Sequence, residues 1–201
     1  MSSSALLDNL IEALQVMPGI GPVSATRIAY HLLDRNRNGG TELSKALSDA
    51  LNNIALCPVC RNYTDHKDTV CALCSQEKRK NSALLCVVES PSDVEAIEKT
   101  GTYYGSYFVL HGHLSPIDRI GPAQIGLDEL RERLEKEHIE EVILALSQTV
   151  DGEVTASYIT SIARKLNISV SKIAQGVPVG GELTSVDGNT LASSLNFRHK
   201  I

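Results

Sequence analysis

Apolar residues recur with helical spacing in the first part of the chain and in short continuous runs later, so the pattern predicts a helical part followed by an α/β part. The first helical stripe, capped by Ser4, consists of Leu6, Leu7, Leu10, Ile11 and Leu14, and the second of Ala25, Ile28, Ala29 and Leu32. A third helix is predicted after a polar loop at residues 35–40, with Thr41 as its cap and with Leu43, Leu47, Ala50 and Ile54 turned inward.

A continuous apolar run at residues 83–88 is typical of a strand that is buried on both faces. Further strands are predicted at residues 107–110, 141–146 and 169–174, with helices between them. This alternation predicts an α/β fold with a mostly parallel sheet and helices on both faces. Ligands of such sheets gather at the carboxyl ends of the strands, where this chain carries Glu89, His111 and the loop at residues 147–153.

Two C-x-x-C pairs, Cys57/Cys60 and Cys71/Cys74, lie between these parts and are separated by ten residues. Four thiolates can complete the tetrahedral shell of zinc (Zn²⁺) at about 2.3 Å. The polar residues between the pairs cannot form an apolar core, and a bound zinc ion would order them, since such sites contribute on the order of 10 kcal/mol to folding. The alternatives are two disulfides or a redox dithiol, and the doubled motif favours structural zinc over both.

The net charge of −5 does not by itself indicate a nucleic-acid-binding protein, but its distribution is uneven. Residues 1–82 carry nine Lys and Arg against eight Asp and Glu, whereas residues 83–201 carry ten against sixteen. Any contact with DNA is therefore expected in the first part of the chain. Several copies would have to assemble to provide enough positive charge for DNA binding. A secretory start and a bilayer-length apolar run are both missing, which predicts a cytoplasmic protein without a membrane partner.

The segment Met17-Pro-Gly-Ile-Gly-Pro22 ends one helix and begins another, and it resembles a helix-hairpin-helix motif. In that family the hairpin glycines, here Gly19 and Gly21, let backbone N–H groups approach a DNA phosphate at the start of the second helix. Arg27 is the candidate side-chain contact. Such contacts do not read sequence. A plain helical hairpin is the alternative interpretation.

The residues after the cysteines resemble a Toprim domain, because the first buried strand ends in Glu89 and acids follow a later strand. Toprim enzymes use that glutamate and a D-x-D pair to hold magnesium (Mg²⁺). Asp151 and Glu153 have the D-x-D spacing but lie past the predicted strand end.

The order of the parts resembles the RecR family of bacterial recombination mediators over nearly the whole chain. It predicts a helix-hairpin-helix helical domain at residues 1–56, a four-cysteine zinc module at 57–80, a Toprim domain at 81–175 and a C-terminal segment used in oligomerisation at 176–201. The most specific stretches are Pro18–Pro22, the two cysteine pairs, Val87–Glu89, Gly112–Pro116 and Val177–Gly181.

This resemblance implies a DNA-binding protein that is not an enzyme. RecR proteins form ring-like tetramers that clamp DNA and act with RecO, and in many bacteria RecF, to load RecA onto gapped single-stranded DNA. The acids tied to RecO contact correspond to Glu89 and Asp93. Val23 stands where the family commonly has a lysine, so Arg27 and the backbone must carry more of the phosphate contact.

Two alternatives to the clamp remain. The first is a magnesium-dependent Toprim enzyme with nuclease, primase or topoisomerase-like activity, for which the chain offers Glu89 but no D-x-D pair at the strand end. The second is a DNA-reading zinc module. Only Arg61 and Lys67 are basic residues between the cysteine pairs, which favours a structural role instead.

Overall fold

The computed structural model describes residues 4–174 and 176–198, and the chain divides into two compact units. The first unit comprises the chain up to Ala55 together with residues 65–67. The second comprises residues 56–64 and the chain from Asp68 onward. None of the helices described is long and apolar enough to cross a membrane.

The first unit is helical, with α1 at Ala5–Leu14, α2 at Pro22–Tyr30, a π-helical turn at His31–Arg35 and α3 at Arg37–Asn53. Its small core contains the buried residues Leu14, Ala25 and Ala29, with partly buried apolar side chains from α1 and α2 around them. Most residues of the two predicted stripes therefore pack against each other, whereas Leu6 is 82% exposed.

The predicted start of the third helix at Thr41 is wrong. The cap is Asn36, five residues earlier, and its Oδ1 accepts from the Gly39 N–H at 3.0 Å, so the helix begins at Arg37. Thr41 lies inside the helix and donates its hydroxyl to the Arg37 carbonyl. The predicted loop at residues 35–40 is thus mostly helical.

The expected burial of α3 is also wrong, since the helix has no buried residue within the described chain. Leu43, Leu47 and Ile54 remain 52%, 57% and 48% exposed, and Leu51 is 77% exposed. The three leucines lie on one face of α3 and Ile54 follows directly after its last residue. We refer to these four side chains as the α3 stripe.

The second unit contains the sheet and the cysteines. Its elements, with the short strand that precedes them, are β1 (Ala55–Leu56), β2 (Tyr63–Thr64), α4 (Glu77–Lys80), β3 (Leu84–Val88), α5 (Pro91–Thr100), β4 (Ser106–Val109), a 3-10 turn (Pro122–Ile125), α6 (Leu127–Lys136), β5 (Glu141–Ala145), α7 (Val150–Lys165), β6 (Ser169–Lys172), a 3-10 turn (Leu183–Ser185) and α8 (Gly188–Asn196). The predicted alternation of strands and helices is confirmed.

The sheet is parallel throughout and has the strand order β4-β3-β5-β6. Side chains of the central strand β3 alternate between two cores because successive residues of a strand point to opposite faces. Leu85 and Val87 pack in the larger core, with residues of α6 and α7. Cys86 and Val88 pack on the other face, with α5 and the cysteine module. Burial on both faces explains the continuous apolar run.

The face of α7 that enters the core includes several small residues. Thr155, Ala156 and Ile159 are fully or almost fully buried, whereas Val154 is 40% exposed. Small residues let α7 approach the sheet closely, and a stripe read from large apolar residues alone misses them.

Candidate metal centre and DNA-contacting hairpin

The four predicted cysteines come together in the second unit. The Sγ atoms of Cys57, Cys60, Cys71 and Cys74 all lie within 4.8 Å of one another. Cys57 and Cys60 are essentially inaccessible to solvent, and the cysteines described form no disulfide. Two backbone N–H groups point at sulfur, from Asn62 to Cys60 and from Cys71 to Cys57, each at 3.4 Å.

This geometry suits a metal ion such as zinc. A tetrahedral site with bonds of about 2.3 Å places its sulfurs about 3.8 Å apart, and the Cys60 and Cys71 sulfurs are 3.5 Å apart. Backbone N–H donors stabilise the thiolates that such an ion requires. The predicted four-cysteine cluster is therefore present.

Without an ion, the cluster holds protons that a metal must displace. Hydrogen bonding with Cys71 and burial raise the pKa of Cys60 to about 12. Hydrogen bonding with Cys60 and Cys71 raises the pKa of Cys74 well above its ordinary value, while contacts with Cys60 and Cys74 lower the pKa of Cys71. In the metal-free fold, Cys60 and Cys74 therefore hold their protons more tightly than ordinary cysteines do.

We expect zinc affinity to fall steeply as the pH is lowered from 8 to 6. Cys60 and Cys74 keep their protons throughout this window, so binding releases at least those two, and the association constant should change about a hundredfold per pH unit. Competition with a chromophoric chelator at three pH values measures this slope. A pH-independent affinity would mean that the thiolates are already formed.

The cysteine module is bound tightly to the edge of the sheet. The Cys60 carbonyl accepts from the Val109 N–H at 2.8 Å, on the edge strand β4. Arg133 Nη1 reaches both the Val59 carbonyl at 3.2 Å and the Tyr107 carbonyl at 2.7 Å, so one guanidinium joins the module to β4. A further contact joins the His111 ring nitrogen Nε2 to the Arg61 carbonyl at 2.6 Å.

Arg61, one of the two bases between the cysteine pairs, is used inside the unit. Its Nη1 forms an ion pair with Glu129 at 3.0 Å, and its Cζ lies 5.9 Å from the centre of the Phe108 ring. Its backbone has a φ of +61°, and its carbonyl is the one that faces His111. The side chain is therefore a structural contact, which disfavours a DNA-reading role for the module.

The hairpin of the first unit lies at the surface. Gly19 has a φ of +80°, a conformation that favours glycine, and a Cβ built at Gly19 or Gly21 would meet no atom within 4 Å. Gly21 caps α2 without a side-chain hydrogen bond, and Pro22 occupies the first helical position. The N–H groups of Val23 and Ser24 have no hydrogen-bond partner among the described residues.

Arg27 lies on α2 and its side chain is exposed. It makes no ion pair with any residue that the structure describes. Ser24 and His31 are exposed on the same helical face, as their spacing predicts. The open N–H groups and this guanidinium thus belong to one helix, and both can bind an anion.

The carboxyl end of the sheet gathers Glu89, Ser147, His113 and Asp151. Glu89 Oε1 accepts from the Ser147 N–H at 2.8 Å and from the Ser147 hydroxyl at 2.7 Å. His113 lies between two carboxylates, with Nδ1 4.0 Å from Glu89 and Nε2 3.7 Å from Asp151. A Cβ at Gly152 would lie 2.1 Å from the Ser147 carbonyl oxygen, so only glycine lets α7 begin this close to the loop.

The other acids of this region have partners of their own. Asp93 Oδ2 accepts from the Ser90 N–H and hydroxyl, each at 2.8 Å, and closes the first turn of α5. Glu153 forms an ion pair with Lys172 at 2.6 Å. The structure therefore brings Glu89 and Asp151 to one site, whereas Asp93 and Glu153 have local roles.

Two arginines and a histidine organise this unit through contacts that the sequence does not reveal. Arg79 is 6% exposed and donates to Glu98 and to the carbonyls of Tyr103 and Gly105. Arg133 is 9% exposed, and His113 rather than His111 joins the carboxylates. A buried arginine inside an otherwise solvated helical pattern gives no sequence signal of its own, because its partners are distant carbonyls.

Three family models match the chain. The model described as RecR, helix-hairpin-helix matches residues 7–51, the Toprim domain model matches residues 83–174, and the model described as RecR, C-terminal matches residues 176–199. The chain belongs to the RecR family. The Toprim match spans the parallel sheet, and the two RecR-specific matches flank it, so the domain set is that of a RecR-type recombination mediator.

Residues 52–82 lie between the RecR helix-hairpin-helix match and the Toprim match, and the cysteine cluster lies within this interval. The hairpin with Gly19, Gly21 and Arg27 falls inside the RecR helix-hairpin-helix match. Glu89 and Asp93 fall inside the Toprim match.

Proposed function

We propose that this RecR-family chain is a non-enzymatic DNA clamp that assembles from several copies, with four as the expected number. The observation that most supports this proposal is the start of α2 beside the glycine hairpin. The helix carries an exposed arginine there, and two of its N–H groups have no partner in the described chain. A helix N-terminus with free donors binds phosphate through its dipole and its N–H groups. Such a contact holds DNA of any sequence.

The uncovered α3 stripe supports assembly. Its four large exposed apolar side chains favour contact with a second protein surface, and no residue of α3 is buried within the described chain. The C-terminal segment offers a second such surface, since α8 has no buried residue among those described and Leu195 and Phe197 are mostly exposed. We infer that copies of the chain cover these faces and bring several hairpins to one DNA.

The metal that we propose for the cysteine cluster is zinc in a structural role. Four sulfur donors leave no open position for substrate, which is typical of structural sites. The cluster packs on Cys86, Val88 and Tyr107 of the sheet, so an ordered module also shields one face of the core.

We further propose that the clamp acts with RecO, and with RecF where it is present, to load RecA onto gapped single-stranded DNA. Glu89 and Asp93 are the proposed RecO contacts. Both lie near the carboxyl end of β3, and both are partly exposed despite their internal hydrogen bonds. Their acidity favours a basic surface on the partner.

The geometry gives less support to the alternative of a magnesium-dependent enzyme. Two-metal chemistry needs several carboxylates around ions about 4 Å apart. Glu153 is paired with Lys172, and Glu89 is held by Ser147 and faces the imidazole of His113. One carboxylate pair with a histidine between its members does not form such a site.

We expect replacement of Arg27 by alanine to weaken binding to all DNA sequences about equally, by about tenfold. The slope of log affinity against log salt should also become shallower by about one, because one fewer phosphate is neutralised. Fluorescence anisotropy with three unrelated oligonucleotides over a salt series measures both quantities.

The matched control for Arg27→Ala is Arg119→Ala, which removes an exposed arginine of the second unit. Arg119 forms no ion pair with any described residue, so its removal changes the net charge equally. Sequence-dependent weakening, or an equal effect of the control, would contradict the backbone-contact proposal.

A further inference from the structure

A cavity of about 400 Å³ opens beside the cysteine module, within the second unit. Its apolar walls come from the module and from the edge strand, namely Val59, Val70, Leu73 and Tyr107. Binding pockets for small molecules are typically about 300–1,000 Å³, apolar on most sides, with a few fixed polar groups. The DNA hairpin and the carboxyl end of the sheet contribute none of the lining residues described.

The fixed polar group of this cavity is the guanidinium of Arg133. Its Nε donates to Glu137 at 2.8 Å, and its Nη1 donates to the carbonyls of Val59 and Tyr107. Its Nη2 has no hydrogen-bond partner among the described residues, although the residue is only 9% exposed. Among the described residues, Arg61 Nε is the only side-chain nitrogen or oxygen that is both fully buried and without a partner. Arg133 Nη2 also lacks a partner, so it is not fully buried and solvent can reach it.

The charge around the cavity favours an anion. Arg79, Lys80 and Arg133 line it, and Glu137 is the only acid among the described residues of its wall. Every nitrogen of the Arg79 guanidinium already donates, to Gln76, to Glu98 or to a carbonyl, so its position is fixed and its charge is paired. Lys80 forms no ion pair with a described residue and supplies positive charge that no acid of the wall balances. The open guanidinium donor is therefore Arg133 Nη2.

We propose that this cavity binds a small molecule with an apolar body and one carboxylate, and that the carboxylate accepts from Arg133 Nη2. Because the other two nitrogens of Arg133 are already fixed, its orientation is prepared before binding. The apolar body would pack on Val59, Leu73 and Tyr107. The size of the cavity favours a free small acid over a longer peptide, whose remaining residues would have to leave across the rim.

The test is a titration of the zinc-loaded full-length chain, labelled on valine and leucine methyl groups, with phenylacetate and separately with phenylacetamide. The expected result is saturable shifts of the Val59, Val70 and Leu73 methyl signals by phenylacetate, with the amide at least about tenfold weaker because hydrogen bonds to charged groups are the stronger ones. Equal affinities for acid and amide, or no saturable shift with either compound, would overturn the proposal.

Two variants locate the binding without changing Arg133, which also holds the fold. Val70→Trp fills the cavity from its rim, where Val70 is 41% exposed, and should abolish the Val59 and Leu73 shifts. Val150→Trp places the same side chain at an exposed position on α7 and should leave the titration unchanged. Shifts that persist in Val70→Trp would overturn the assignment.

A titration with a short peptide distinguishes the two possible sources of such a carboxylate, a free small acid and the C-terminus of a peptide chain. N-acetylglycyl-phenylalanine carries the same apolar ring and a free chain terminus. Binding weaker than or equal to that of phenylacetate supports a small-molecule site. Binding at least about tenfold tighter, a gain of about 1.4 kcal/mol, would show that the cavity receives a chain terminus and would overturn the small-molecule proposal.

Discussion

Replacement of Cys57 by serine is expected to remove the metal and to lower the free energy of unfolding by about 4 kcal/mol or more, since loss of a metal is among the largest single-site effects. Cys57 is fully buried, and its sulfur accepts the Cys71 N–H. A serine there removes a thiolate ligand and leaves three sulfurs around the ion. The melting temperature should fall by about 10 °C, and bound zinc should fall from about one per chain to nearly none.

The chain supplies a matched control in its fifth cysteine. Cys86 packs in the same core as Cys57 but is not one of the four clustered sulfurs, and burial raises its pKa to about 12. Cys86→Ala should cost only about 1 kcal/mol, as for other small deletions in a core, and should keep its zinc. Metal content measured by atomic absorption, together with thermal unfolding, distinguishes the two. Full zinc content in Cys57→Ser would contradict the structural role of the cluster.

Replacement of Leu47 by aspartate is expected to separate the assembly into smaller species without unfolding the chain. Leu47 is in the middle of the α3 stripe and is 57% exposed in the single chain, so a carboxylate there is tolerated by the isolated fold but not by an apolar interface. Separating the linked hairpins should lower DNA affinity about a hundredfold, because multivalent binding depends on simultaneous contacts.

Light scattering and anisotropy measure these two effects of Leu47→Asp. The control is Val150→Asp, which introduces the same charge at an apolar position that is 82% exposed on α7. It should leave both mass and DNA affinity unchanged. If Leu47→Asp keeps the mass of the unmodified chain, a different face of the molecule holds the copies together.

Local patterns in the sequence were sufficient for the class of fold and for the cluster of cysteines. The apolar run ending at Glu89 predicts a doubly buried strand because all of its residues are apolar, and it lies at the centre of the parallel sheet. The two C-x-x-C pairs predict that their four sulfurs form one cluster, since each short spacer places two sulfurs on one turn.

Features that depend on distant contacts could not be predicted in this way. Arg133 is 74 residues from Val59, and only the folded sheet reveals that its guanidinium joins the module to β4. Asn36, rather than Thr41, caps α3. The sequence does not show this, because both residue types are plausible caps and local propensity alone does not choose between them. The pattern predicts that Leu43, Leu47 and Ile54 turn inward, although they are exposed in the single chain. An amphipathic pattern does not distinguish burial within a chain from burial against another copy.

The most direct test of the account is the solution mass of the zinc-loaded full-length chain, with and without gapped DNA, at about 50 mM and about 200 mM salt, where phosphate contacts differ strongly in strength. We expect an assembly of about four chains that binds DNA at the lower salt concentration and releases it at the higher one. A chain that remains monomeric and ignores DNA at about 50 mM salt would contradict the account.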